Sequence, residues 1–157
     1  MRRKDREVLD PEEIFDMLNR CDTIRIGMRG EGYPYVVPVS FGAERVDGKT
    51  VVYFHCAREG MKVDLLRADP HVCVEGDIFI RTEPTDHGIT TRYESVIGFG
   101  ICEFPEDRDE IIHGLKVLTE HYGYMDYPLE RCRDTAYIYV GRIVLSGMTG
   151  KRNLPLR

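Results

Sequence analysis

Tyr53-Phe54-His55-Cys56-Ala57-Arg58-Glu59-Gly60-Met61-Lys62-Val63-Asp64-Leu65-Leu66 changes its period halfway along. The first part continues a β-branched and aromatic run, Val51-Val52-Tyr53-Phe54, which follows the turn signal Asp47-Gly48 and predicts a strand. The pattern breaks at Arg58-Glu59-Gly60 and resumes with helical spacing. Met61, Leu65 and Leu66 make one apolar face, with Lys62, Asp64 and Arg67 on the other side. A strand that turns through glycine into a helix leaves unpaired N–H groups at the helix start, where the dipole favours anions. Lys62, in the first turn, can join those amides around a phosphate, and His55, at the strand end, can point into the same crevice. An ordinary strand–turn–helix with a solvated lysine and a surface histidine fits the same residues.

Upstream, Asp10 and Pro11 supply an N-cap and a first-position proline, with Glu12 and Glu13 in the first turn. Ile14, Phe15, Met17 and Leu18 then predict a helix over 11–20. Residues 1–9 are read as a charged arm, mobile or clasping a partner. Ile24, Ile26 and Met28 alternate with Arg25, predicting a half-buried strand that turns at Arg29-Gly30-Glu31-Gly32 into a second strand over Tyr33–Ala43. Pro34 and Pro38 cannot donate to a ladder, so that strand is irregular, bulged, or faces something other than a strand.

Downstream, a helix over 60–68 stops at Asp69-Pro70, and His71–Ile80 reads as a strand with Val72, Val74 and Ile78 on one face. Arg81–Gly88, polar and holding Pro84, predicts a loop. Ile89–Phe104 is the longest strand, with Gly98 and Gly100 marking bends or close approaches. A helix over 106–122 carries Ile111, Ile112, Leu115, Leu118 and Tyr122 on its apolar side, leaving His113 and His121 in solvent. Thr135–Leu145 is a final strand, alternating Ala136, Ile138 and Val140 with Tyr137 and Tyr139, and Ser146–Arg157 is a basic tail. The expected fold class is mainly β (α+β): strands in hairpin order forming an antiparallel barrel with a few appended helices, in a single domain over 1–157.

Of the 157 residues, 42% are hydrophobic and 31% charged, which describes a soluble globular chain long enough for a core. A net charge of −5 argues against nucleic acid as a partner. No apolar run approaches the roughly 20 residues of a membrane span, so no membrane partner is expected. Arg2, Arg3, Lys4 and Arg6 precede no apolar segment of a secretory signal, which places the chain in the cytoplasm. Cys21, Cys56, Cys73, Cys102 and Cys132 show no metal-ligand spacing and read as reduced structural thiols. No dinucleotide fingerprint, P-loop or nucleophile elbow is present.

Phe54-His55-Cys56-Ala57-Arg58-Glu59-Gly60-Met61-Lys62-Val63-Asp64-Leu65-Leu66 resembles the F-H-(G/C)-A-x-x-G-x-K-x-D-x-L signature of the nitroimidazole-resistance (Nim) flavoproteins. These belong to the pyridoxamine 5'-phosphate oxidase-like, FMN-binding split-barrel superfamily. Met1–Glu7, Pro34–Gly42, Tyr93–Gly100 and Thr149–Arg152 agree with it in the same order, so the resemblance spans nearly the whole chain.

The resemblance implies an antiparallel split β-barrel that forms a homodimer with FMN at the subunit interface. It implies main-chain contacts to the flavin ring from Val39, Ser40 and Phe41, and a phosphate held by Lys62 with the amides near Glu59–Met61. His55 carries over as the catalytic residue, able to hold the cofactor, bind substrate or donate a proton during nitro reduction. Cys56, where the family often has glycine, reads as a small residue beside the cofactor. Arg92, Ser95 and Lys151 are the further cofactor candidates. The implied activity is FMN-dependent reduction of small nitro-aromatic or related heterocyclic compounds. The alternatives are a non-catalytic flavin or haem module, with His55 as axial ligand, and a pyridoxamine phosphate oxidase-like oxidase, whose C-terminal element Arg152-Asn153-Leu154-Pro155 echoes only loosely.

Overall fold

The computed structural model describes residues 2–129 and 137–154. Cys132, the strand start at Thr135 and Ala136, Met1 of the N-terminal motif and Pro155 of the tail motif lie outside them.

The described residues form a 3-10 turn at Lys4–Arg6, β1 (Glu7–Val8), α1 (Pro11–Asn19), β2 (Ile24–Met28), β3 (Tyr35–Val39), β4 (Gly42–Val46), β5 (Lys49–Ala57), α2 (Met61–Ala68), β6 (His71–Thr85), β7 (Gly88–Glu103), α3 (Arg108–His121) and β8 (Ile138–Asn153). All pairings are antiparallel, in the order β3-β2-β6-β7-β8-β5-β4, with β1 added alongside β8.

β3 and β4 are the two edges of this order, yet only Ser40 and Phe41 separate them in sequence. Three peptide steps reach at most about 11 Å. The sheet therefore curls until its first and last strands meet at that corner, giving a split barrel. Pro38 is tolerated because β3 has a neighbour on one side only.

The barrel interior is filled from β2, β5, β6, β7 and β8 and from the β3–β4 crossing, with Ile24, Ile26, Phe41, Phe54, Val74, Val96 and Ile143 buried together. α1 adds Ile14, Met17 and Leu18, and α2 adds Leu66. α3 covers the outside of β5 and β8, burying Leu115 against Val51, Tyr53 and Val140. Among the described residues no helix is long and apolar enough to cross a membrane.

Several expected boundaries move. The strand expected over Tyr33–Ala43 is two strands, broken where the chain crosses between the sheet edges. Arg81–Gly88 is not a loop: β6 and β7 run on as a hairpin to a turn at Asp86-His87, with Gly88 at φ 135°. Thr82 Oγ1 and Thr91 Oγ1 meet across it at 3.2 Å, so polar residues pair here because both faces are wet. Ser146–Asn153 is not a tail but the second half of β8, and Glu7–Val8 of the expected mobile arm pairs with it. α2 buries Val63 and Leu66, while Met61 is 61% exposed. His121 is not in solvent: its ring centre lies 4.4 Å from that of Phe41, and its Nε2 is 2.9 Å from the Cys21 carbonyl.

At Gly42 a Cβ would sit 2.3 Å from the Val117 carbonyl oxygen, so β4 and α3 touch backbone to backbone. Gly42→Ala is expected to destabilise the fold by about 1–3 kcal/mol, read by urea denaturation. An unchanged midpoint would show that the contact yields.

Candidate functional site

β5 alternates Phe54 and Cys56 into the barrel with Tyr53 and His55 outward. It ends at Ala57, and α2 starts at Met61 after Gly60, whose φ of 117° suits glycine. Among the described residues no side chain caps α2, while the Gly60 carbonyl accepts from Val63 and Asp64 N–H. The first amides of the helix are thus left for an anion.

Lys62 Nζ lies 5.6 Å from the centre of the Phe54 ring. Burial pushes the Cys56 thiol up, opposed by the Lys62 charge, and pushes the Cys102 thiol up to about 12. Neither thiol is a thiolate nucleophile at neutral pH. Cys56→Ala is expected to leave the activity proposed below within about twofold of wild type, since the sulfur packs against the core and is not an activated nucleophile. A loss of activity in a steady-state assay would give that sulfur a part in the chemistry.

Two further cations, which the sequence reading missed, adjoin this corner. Arg58 and Arg67 lie 5.1 and 5.3 Å from the centre of the Tyr139 ring. Arg67 Nη2 donates to Tyr139 Oη at 2.7 Å, and Arg58 Nε donates to the Ile138 carbonyl at 3.3 Å. Their signal was three cations within ten residues, but Arg67 reads in sequence as a solvated helix residue. Tyr139, the platform, arrives from β8 and carries no local signal. Glu59 is exposed in the turn between Arg58 and Gly60.

The other expected residues are not all brought to this corner. His55 is exposed but emerges on the opposite face of β5 from Phe54 and Cys56, so it does not share the Lys62 side of the strand. Val39 is buried in the core, and Ser40 is exposed at the crossing between the sheet edges. Phe41 is buried, and its N–H already donates to Tyr122 Oη at 3.2 Å.

Arg92 is also committed, donating from Nε to Glu83 at 2.6 Å and from Nη1 to Asn153 Oδ1 at 3.2 Å and the Leu154 carbonyl at 2.8 Å. Ser95 and Lys151 stand opposite one another on β7 and β8. Lys151 Nζ is 5.7 Å from the centre of the Tyr93 ring. Burial raises the Tyr93 phenol, but hydrogen bonding and positive charge from Lys151 and Arg6 together outweigh it and hold the group below its ordinary value. Ser95 stands seven strand steps, roughly 23 Å, from Cys102, the β7 residue whose thiol feels the Lys62 charge. Within one chain, then, Ser95 and Lys151 form a second polar patch distant from Lys62.

No curated protein matches the chain significantly. Among solved structures it is similar to a candidate 5-nitroimidazole antibiotic resistance protein from Bacteroides thetaiotaomicron, at 28% identity and TM-score 0.78, over 93% of this chain and 86% of that one. It shares its fold with the flavocytochrome Anf3 from Azotobacter vinelandii, at 17% identity and TM-score 0.79, over 100% of this chain and 74% of that one. A FAD-binding protein from Mesorhizobium loti matches at 23% identity and TM-score 0.64, over 92% of this chain and 96% of that one. The family described as pyridoxamine 5'-phosphate oxidase matches residues 10–152, nearly the whole split barrel, and the chain belongs to it.

Proposed function

We propose that the chain is an FMN-binding flavoprotein, active as a homodimer, that reduces small nitro-aromatic or related heterocyclic compounds. The observation that carries this reading is the basic corner at the uncapped start of α2, where Lys62 lies beside free helix amides, with Arg58 and Arg67 close by. These donors fit a phosphate monoester: a point charge, helix N–H groups and a glycine turn that lets backbone approach the anion. The similarity to a candidate nitroimidazole-resistance protein supports the substrate class, and the neighbours, one FAD-binding and one a flavocytochrome, support a flavin as cofactor.

Bound FMN would supply the electron transfer itself. Lys62 and the α2 amides hold the phosphate and so fix the position of the ring. Ser40, exposed at the meeting of the sheet edges, offers main-chain groups to it. His55, the imidazole carried over as catalytic, is exposed on the face of β5 opposite Lys62, so it would serve the nitro group only where the ring extends past the end of that strand. The homodimer is supported by the exposed Ile97, Phe99 and Ile101 along the outer side of β7 and by the separation of Ser95 and Lys151 from Lys62, which a second copy can bridge. Against an oxidase of pyridoxamine phosphate, Arg152 of the tail motif is tied to Glu13 of α1.

The cofactor released from purified protein is expected to be FMN by mass spectrometry, and the reduced protein is expected to consume a 5-nitroimidazole. FAD or haem as the main species would overturn the cofactor assignment. Released FMN without turnover would leave a flavin carrier and overturn the catalytic one.

A further inference from the structure

Two guanidiniums at the α2 end of the barrel carry no carboxylate. Most arginines of the described residues pair with one within 4.0 Å, as Arg20 does with Glu94 and Arg25 with Glu75 and Asp77. Scarcity is not the reason, since the chain has 27 acidic against 22 basic residues, and Glu59 and Asp64 stand close to Arg58 and Arg67 in sequence. Among the described residues Arg58 and Arg67 instead share the ring of Tyr139, at 5.1 and 5.3 Å from its centre. Arg58 spends its Nε on the Ile138 carbonyl, and Arg67 spends Nη2 on Tyr139 Oη. A guanidinium has five N–H donors and no acceptor. The remaining donors of both forks meet no acceptor among the described residues, and both side chains are exposed.

Tyr139 is a fixed platform, its ring centre 5.0 Å from that of Phe104. The β5–β8 register sets it directly across from Cys56, whose thiol feels the Lys62 charge. One strand spacing, roughly 5 Å, therefore separates the platform strand from the residue beside Lys62. Stacking orders both forks before any ligand arrives, which lowers the entropy lost on binding. The corner thus holds a lysine with helix amides, enough for one phosphate, and next to it two ordered forks that this phosphate does not need.

We propose that Arg58 and Arg67 bind the diphosphate of a nicotinamide dinucleotide, the electron donor, beside the FMN phosphate at Lys62. The neighbouring FMN rests on the function proposed above, whereas the diphosphate site rests on the Tyr139 platform alone. Each fork meets a different phosphoryl group, which a carboxylate or a phosphate monoester cannot offer. The chain has no glycine-rich dinucleotide fingerprint, so charged side chains have to do for the diphosphate what a helix N-terminus does in that motif. In both ligands a short sugar-derived segment links phosphate to ring, so neighbouring anchors let the two rings meet. The reduced dinucleotide gives up a hydride through the flavin and leaves oxidised. With one further proton, those two electrons convert a nitro group to a nitroso group and water.

Calorimetric titration of the FMN-loaded protein with ADP-ribose, which has the diphosphate but no redox group, tests the assignment, with AMP as the monophosphate comparison. The expected result is one ADP-ribose per chain with FMN retained, and AMP at least about tenfold weaker. Arg58→Gln with Arg67→Gln is expected to weaken ADP-ribose by about tenfold or more, and Arg58→Lys with Arg67→Lys to weaken it as well, because charge stays but the stacked forks are lost. Arg108→Gln, at the exposed start of α3, is expected to leave it unchanged. All three positions are exposed, so folding is expected to be preserved. The proposal is overturned by no saturable ADP-ribose binding, by AMP binding as tightly, or by wild-type affinity in the glutamine or lysine pair. Displacement of FMN by ADP-ribose overturns it too, as does FAD replacing FMN with the same dependence on both arginines, which gives the forks to the cofactor. A protein that holds no FMN yet binds ADP-ribose through Arg58 and Arg67 keeps the diphosphate site and overturns the FMN reading instead.

Discussion

Phe99→Asp is expected to convert the proposed dimer to a monomer and to remove most of its flavin affinity. Ile97, Phe99 and Ile101 alternate along the outward side of β7, and Phe99 is 61% exposed in the single chain. Cys73 on β6 and Gly147 on β8 stand beside Phe99, and Gly27 with Val36 extends the strip across β2 and β3. A groove of about 450 Å³ runs beside it, walled by Phe99, Ile101, Val72 and Val144. Apolar strips of this kind mark association surfaces.

An aspartate buried there without a partner costs several kcal/mol, a thousandfold or more in dimer affinity. The fold itself should move by no more than about 0.5 kcal/mol, because the side chain packs against little within its own chain. Flavin loss is expected because the proposed dimer is what would bring Ser95 and Lys151 of a second copy to the Lys62 corner. Sedimentation equilibrium checks this, with Phe99→Asp at the chain mass of 18.2 kDa and wild type at twice that. A wild-type monomer that holds flavin, or a dimeric Phe99→Asp protein, would contradict the proposed assembly.

Lys62→Ala is expected to weaken FMN by roughly ten- to a hundredfold, the worth of a charge-assisted contact of about 1.5–3 kcal/mol. Arg58 and Arg67 soften the loss without replacing it, since both guanidiniums are stacked on Tyr139 and each donates elsewhere. His55→Ala should leave FMN affinity within a few-fold, because its side chain leaves β5 on the other face. Its effect should fall on kcat with a nitro-aromatic substrate. Fluorescence titration of both variants separates the two roles, and loss of FMN by His55→Ala with retention by Lys62→Ala would invert them.

The β5–α2 junction was legible because strand and helix periods meet there across a glycine, and both are local signals. The inward set Ile24, Ile26 and Met28 was legible for the same reason. The corner at Ser40–Phe41 was not, because two sheet edges meet there only through the curl of the whole barrel. Arg92 shows the converse. Its position beside Ser95 suggested a ligand contact, but Glu83, Asn153 and the Leu154 carbonyl converge on it from other parts of the chain. The opposite facing of His55 and Lys62 follows from strand alternation. It could have been read by counting from Phe54, but for the turn that lets the helix fold back under the strand.

Titrating apo-protein with FMN and with riboflavin, in wild type and in Lys62→Ala, isolates the phosphate. Wild type is expected to prefer FMN, and that preference should fall by roughly ten- to a hundredfold in Lys62→Ala while riboflavin affinity stays constant. An FMN-to-riboflavin ratio unchanged by the substitution would contradict the placement of the phosphate at the start of α2.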